Sequence, residues 1–150
     1  MVMATSSKGF DLTPLSRERI EARAAEFSAE ERHVILHQGT ERPGCGVFLD
    51  NKQAGVYTCR LCGLPLFAST AKFESGTGWP SFFQPFDDAH IREIADDSHG
   101  MRRVEIRCQR CDAHLGHVFD DGPRPTGLRY CLNSISMQFV PEGGPLPLKS

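Results

Sequence analysis

Two C-x-x-C pairs, Cys59-Arg-Leu-Cys62 and Cys108-Gln-Arg-Cys111, constrain this chain more than any other feature. Each closes a run of strand composition, GVYTC or MRRVEIRC, and enters a turn at Gly63 or Asp112. Thiolates at that spacing converge on one ion, and four of them at about 2.3 Å complete a tetrahedral zinc shell. Such a shell is closed, so the site is structural rather than catalytic. The competing reading, a dithiol redox motif, belongs in a βαβ context that this sequence lacks. Zinc held by Cys59, Cys62, Cys108 and Cys111 is therefore expected to tie together two hairpins remote in sequence. A Cys3His site remains open, because His114 and His117 follow Cys111 closely.

Around these pairs the chain changes character once. Thr13-Pro14 predicts the cap and first residue of a helix reaching about Phe27. Ser28-Ala-Glu-Glu31 is a capping-box pattern for a second helix, with Val34, Ile35 and Leu36 on it and a stop at Gly39. From residue 40 onward, Gly, Pro, Asn and Asp punctuate short apolar runs. GVYTC, MRRVEIRC, HLGHVF and RYCLNSISMQFV read as strands, so the expectation is two N-terminal helices packed on an antiparallel β core. PEGGPLPLKS, after Val140, reads as a flexible tail.

The 150 residues suit one domain, and 39% hydrophobic with 24% charged is ordinary globular composition. A net charge of −2 gives no footprint for nucleic acid. Arg102, Arg103, Arg107 and Arg110 are diluted by Glu105 and read as a solvated strand. No apolar run is long enough to span a membrane. MVMATSSKGFDL has no apolar signal core, so a cytoplasmic chain with reduced thiols is expected.

If zinc takes four of the six cysteines, Cys45 and Cys131 remain. In a regular strand RYCLNS, Arg129, Cys131 and Asn133 share one face, which continues as Ile135, Met137 and Phe139 toward the interior. A neighbouring guanidinium is expected to lower the thiol pKa and favour the nucleophilic thiolate. A free cysteine is equally well an inert core residue. His114 and His117, three apart, face opposite sides of a regular strand, so sharing one site requires a bulge, which Gly116 permits.

The stretches YTCRLCGLPLF (57–67), ESGTGWPSF (74–82), IRCQRCDAHLGHVF (106–119) and DGPRPTGLRYCLNS (121–134) closely resemble the methionine sulfoxide reductase B family. The likeness runs from HQGTERPG (37–44) to SMQFV (136–140). It implies a mainly β fold, two antiparallel sheets forming a sandwich or partial barrel, with N-terminal helices against it and zinc-stapled hairpins. Residues 1–27 would form an extension with the first helix, 28–140 the catalytic domain and 141–150 the tail. The implied activity is reduction of methionine R-sulfoxide, mainly in proteins and peptides, with thioredoxin as reductant.

The resemblance also assigns roles. Cys131 would be the nucleophile, becoming a sulfenic acid, with His114 and His117 supplying protons. Arg129 and Asn133 would support substrate and nucleophile, and Trp79 with Phe119 would bind the substrate. Many family members carry a resolving cysteine where this sequence has Thr77, and some use one nearer the N-terminus. Cys45 in ERPGCG is the corresponding expectation here, against direct reduction of the sulfenic acid by an external thiol. A non-enzymatic zinc-stapled β module and a thiol peroxidase are the rival readings.

Overall fold

The computed structural model describes residues 5–6, 8–42, 44, 46–97 and 103–146; Cys45, Arg102 and the last residues of the tail lie outside these. Among the described residues, helices α1 (Arg17–Ala24) and α2 (Ala29–Leu36) precede nine strands. These are β1 (Gly55–Cys59), β2 (Pro65–Ala68), β3 (Lys72–Phe73), β4 (Ser81–Phe82), β5 (Ile91–Asp96), β6 (Arg103–Cys108), β7 (His114–Phe119), β8 (Arg129–Leu132) and β9 (Met137–Pro141). They form two antiparallel sheets, ordered β2-β1-β9 and β3-β4-β8-β7-β6-β5.

The core lies where the sheets face each other. Phe67 of β2 stacks on Phe82 of β4 with ring centroids 4.6 Å apart, and Tyr57 of β1 meets the same ring edge-on at 5.1 Å. Ile106, Leu115, Leu132 and Met137 fill the remainder, fully shielded from water. Burial of these large side chains supplies the main driving force for closing the sheets.

α2 begins where its capping box predicts: Ser28 Oγ accepts from the Glu31 N–H, and Glu31 accepts from the Ser28 N–H. α1 corrects the expectation. It starts three residues after Pro14, with Ser16 as its cap, and ends at Ala24 rather than Phe27. The reason is tertiary. Asp11 accepts from the Thr13 N–H, the Thr13 carbonyl accepts from Arg110 Nε, and the Leu15 N–H donates to the Arg110 carbonyl. These bonds hold residues 11–15 extended, with Leu12 and Leu15 in the core. Arg110 is thus buried, not on a solvated strand, and Arg103 pairs with Asp96.

RYCLNSISMQFV is also not one strand. β8 stops at Leu132, a 3-10 turn spans Ser134–Ser136, and β9 continues in the other sheet. The face expected to run from Cys131 to Phe139 is therefore broken at Asn133. The turn is buried, so its polar groups need partners. Ser136 Oγ donates to the His114 carbonyl, Ser134 Oγ accepts from the Phe48 N–H, and the Ser136 carbonyl accepts from the Arg60 N–H.

β7 carries the expected irregularity. Its pairing with β6 shifts register between Ile106 and Arg107, leaving Leu115 as the extra residue. Beside it Gly116 touches β8 so closely that a Cβ would collide with the Cys131 carbonyl oxygen. Gly116→Ala should separate β7 from β8 and cost about 1–3 kcal/mol. Urea unfolding would register this as a lower midpoint with an unchanged slope.

Candidate functional site

The two C-x-x-C knuckles repeat one local design. Gly63 and Asp112 adopt left-handed backbone, φ 83° and 63°, so their N–H groups fold back onto the carbonyls of Cys59 and Cys108. Aspartate tolerates that conformation better than most side chains, and here its carboxylate also bridges Arg92 and Arg107. The four Sγ atoms lie within 4.8 Å of one another, with Cys59–Cys111 and Cys62–Cys108 both at 3.5 Å. Thiolates bound at ~2.3 Å around a tetrahedral ion lie about 3.8 Å apart, so this cluster fits a metal ion. Hydrogen bonds from Cys108, Cys111 and Cys59 pull the Cys62 thiol far down, while Cys108 pushes Cys59 and Cys111 up. A cation relieves that mutual repulsion. Neither histidine belongs to the cluster, which settles against the Cys3His variant.

Cys131 sits in β8 opposite His117 of β7 on one side and Ser81 of β4 on the other. It opens on a cavity of about 250 Å³ shared with Thr77, Trp79, His117, Phe119, Arg129 and Asn133. The thiol differs from expectation. Burial pushes its pKa up by more than Arg129 and the Thr77 hydroxyl pull it down, so the resting group is a thiol. Arg129 is occupied elsewhere as well: it donates to both Asp121 oxygens, at 2.8 and 3.1 Å, and lies 4.4 Å over the Phe119 ring. Thr77, where a cysteine was sought, belongs to a hydroxyl cluster with Ser75 and Ser81.

The bulge brings His114 and His117 to one side, ring centroids 5.7 Å apart, but only His117 lines the cavity. His114 is buried behind it, 3% exposed. Each ring is held by a carboxylate that the sequence reading missed: His114 Nδ1 lies 2.7 Å from Glu105, and His117 Nε2 lies 2.8 Å from Asp96. Burial would push the Glu105 carboxyl up, but hydrogen bonds from Arg107 and His114 outweigh it and hold the group ionised. A carboxylate only accepts, so Nδ1 of His114 carries the proton and Nε2 is bare. Burial in turn holds His114 below the ordinary histidine range, more strongly than Glu105 raises it.

Asn133 Nδ2 donates to the Leu115 carbonyl, and its Oδ1 accepts from the Glu41 N–H. Trp79 Nε1 donates 3.0 Å to the Glu41 carbonyl. Glu41 is a further residue that sequence reading missed. The pairing of Arg107 with Glu105 inside MRRVEIRC hinted at Glu105, but no local signal marked Asp96 or Glu41.

Fold and site define a class: a two-sheet β protein whose single non-clustered thiol among the described residues faces a small cavity with aromatic walls. Residues 27–141 match the SelR domain family. A protein named peptide methionine sulfoxide reductase MsrB from Caulobacter vibrioides (strain NA1000 / CB15N) is 59% identical over 142 residues, 95% of this chain and 89% of the relative. Its namesake from Xylella fastidiosa (strain M23) is 62% identical over 138 residues, 92% of this chain and 89% of that protein. One from Pseudomonas aeruginosa (strain UCBPP-PA14) is 57% identical over 117 residues, 78% of this chain and 89% of the relative. The chain belongs to the methionine sulfoxide reductase B family and is an oxidoreductase, a peptide methionine sulfoxide reductase. Among the described residues, no helix is long and apolar enough to cross a membrane.

The His114 environment sets a pH dependence. With the folded pKa below the ordinary 6.5, the unfolded chain takes up this proton first on acidification. The stability due to neutral His114 is full above that value and is lost as pH falls through it. Relative to His114→Gln, wild type should lose stability from about pH 7 to about pH 5. Urea titrations across that range would show the opposite slope if Glu105 instead favoured the imidazolium.

Proposed function

We propose that this chain reduces the R epimer of methionine sulfoxide, chiefly within proteins and peptides, through a sulfenic acid on Cys131. The observation that carries the reading is the cavity itself, where the Cys131 thiol meets Trp79 and Phe119 with His117, Arg129 and Asn133 at its edge. The aromatic rings offer the substrate methyl and thioether an apolar wall, and the polar edge suits a sulfoxide oxygen.

In the first step Cys131 Sγ attacks the sulfoxide sulfur, and His117 carries the thiol proton toward the oxygen. The S–O bond breaks and the oxygen ends on Cys131 as a sulfenic acid, with methionine released. Thiol plus sulfoxide gives sulfenic acid plus thioether, so no net proton is taken up. His117 is the direct proton carrier because it lines the cavity, and His114 supports it from behind, oriented by Glu105.

The second step is assigned to Cys45, whose thiol would condense with the sulfenic acid to a disulfide and release water. Gly44, its chain neighbour, donates its N–H to the Gly78 carbonyl, in the loop whose Thr77 hydroxyl reaches Cys131. Thioredoxin, a dithiol, would then return both cysteines to thiols and leave oxidised. Cys59, Cys62, Cys108 and Cys111 would hold zinc, which supplies a structural crosslink between the sheets and no chemistry. A cytoplasmic setting matches these reduced thiols.

Cys131→Ser should abolish reduction of an R-sulfoxide peptide, and wild type should leave the S epimer and hydrogen peroxide essentially unturned. Retained turnover by Cys131→Ser would overturn the mechanism. Cys45→Ser should keep dithiothreitol-supported activity and lose most thioredoxin-supported activity; equal loss or equal retention of both would remove Cys45 from the cycle. Elemental analysis should find zinc in wild type and none in Cys108→Ser, with that variant melting at least ~10 °C lower.

A further inference from the structure

Glu41 is 5% exposed, yet it stands on a loop and is contacted from three directions. Its carboxylate Oε1 accepts from the Ile135 N–H at 2.9 Å, and Ser134 also hydrogen-bonds the carboxyl. Its own N–H donates to Asn133 Oδ1 at 3.0 Å, and its carbonyl accepts from Trp79 Nε1 at 3.0 Å. The Ile135 N–H bond into the Glu41 carboxylate and the Glu41 N–H bond into Asn133 run in opposite directions between loop and turn. Asn133, the cap residue of the Ser134–Ser136 turn, makes no side-chain cap of its own, because its amide is spent on Glu41 and Leu115. Glu41 supplies the missing cap. Loop and turn thus share the capping as the two members of a capping box do, although the Asn133 N–H itself goes to the Leu115 carbonyl.

The carboxylate gives the Cys131 thiol only a lesser upward push, well behind that of burial. It lines a separate groove of about 1000 Å³ with Arg60, Phe48 and Ile135, and is not part of the wall of the Cys131 cavity. Its second oxygen is buried without a partner among the described residues. Gly46 leaves room for it, since a Cβ there would strike both Oε2 and Ser134 Oγ. A carboxylate kept at such expense in burial, away from the substrate, has a holding task.

We infer that Glu41 is a positioning residue: its carboxylate pins residues 40–42 to the Ser134–Ser136 turn, and the pinned main chain fixes the Trp79 indole and the Asn133 amide on two sides of Cys131. The inference rests on the proposed roles of Cys131 and Trp79, and it predicts a defect in substrate placement larger than any change in the thiol.

Trp79 is the single tryptophan, so its fluorescence reports this anchor directly. Glu41→Ala should shift the emission to longer wavelength and raise KM for an R-sulfoxide peptide roughly tenfold or more, with a smaller fall in kcat. Glu41→Gln keeps an acceptor for the Ile135 N–H and should restore both emission and KM. A folded Glu41→Ala with wild-type emission and KM overturns the inference. If Glu41→Ala does not fold, Glu41→Gln is compared with Glu41→Asp, whose shorter side chain cannot reach: a red shift in Asp alone supports the anchor, and identical behaviour overturns it. Emission needs no turnover, so failure of the sulfenic acid mechanism, read by Cys131→Ser, is recognised separately.

Discussion

Four residues, Asn133–Ser136, carry the chain from the large sheet into the small one, with Asn133, Ser134 and Ser136 buried and Ile135 partly so. Every polar group in that crossing therefore needs a protein partner, because an unpaired buried amide or hydroxyl costs on the order of 1–3 kcal/mol. The partners come from Leu115, His114, Phe48, Arg60 and Glu41. Satisfying the crossing thus fixes the bulged strand β7, the exit of β1 at Arg60, the turn at Phe48 and the loop after α2 in one place. The cavity is what these neighbours leave open beside Cys131. A site formed as the by-product of a demanding chain crossing is unusually tied to the stability of the fold.

Electrostatics in the site follow from the same enclosure. Cys131 is held as a thiol because burial outweighs a guanidinium whose charge is already spent on Asp121. His114 is held neutral for the same reason, against an ionised Glu105. Charge is confined to pairs at the edges, and the middle of the site rests uncharged until a polar S–O group enters it. Under the proposed mechanism, the proton that the sulfoxide oxygen needs is then already present on sulfur.

Much of this was legible in the sequence where the signal is short-range. Two thiols separated by two residues and followed by a tight turn must converge, and they do. The Ser28–Glu31 box is complete within four residues, and α2 starts there. The need for a bulge between His114 and His117 follows from strand periodicity alone, and the register shift supplies it. Thr13-Pro14 is an equally good local signal, yet bonds to Arg110, far along the chain, override it. RYCLNSISMQFV looks like one strand because both halves are strands; only the satisfaction of Asn133 by Leu115 and Glu41 marks the break. Glu41 and Asp96 were missed for the same reason. A carboxylate becomes a partner through register and loop placement, which no window of sequence displays.

The β6–β7 hairpin is gripped at its closed end, where Cys108 and Cys111 join the thiol cluster, and it reaches the cavity with its other end, at Arg103 and Phe119. Its two strands are also hydrogen-bonded along their outer edges, β6 to β5 and β7 to β8, as far as Arg103 and Phe119. Glu105 stands directly across from His117, while His114 lies nearer the grip. The hairpin is therefore a girder laced on both sides, and a disturbance at the thiol cluster has a continuous hydrogen-bonded path to His117 and Phe119 at the cavity.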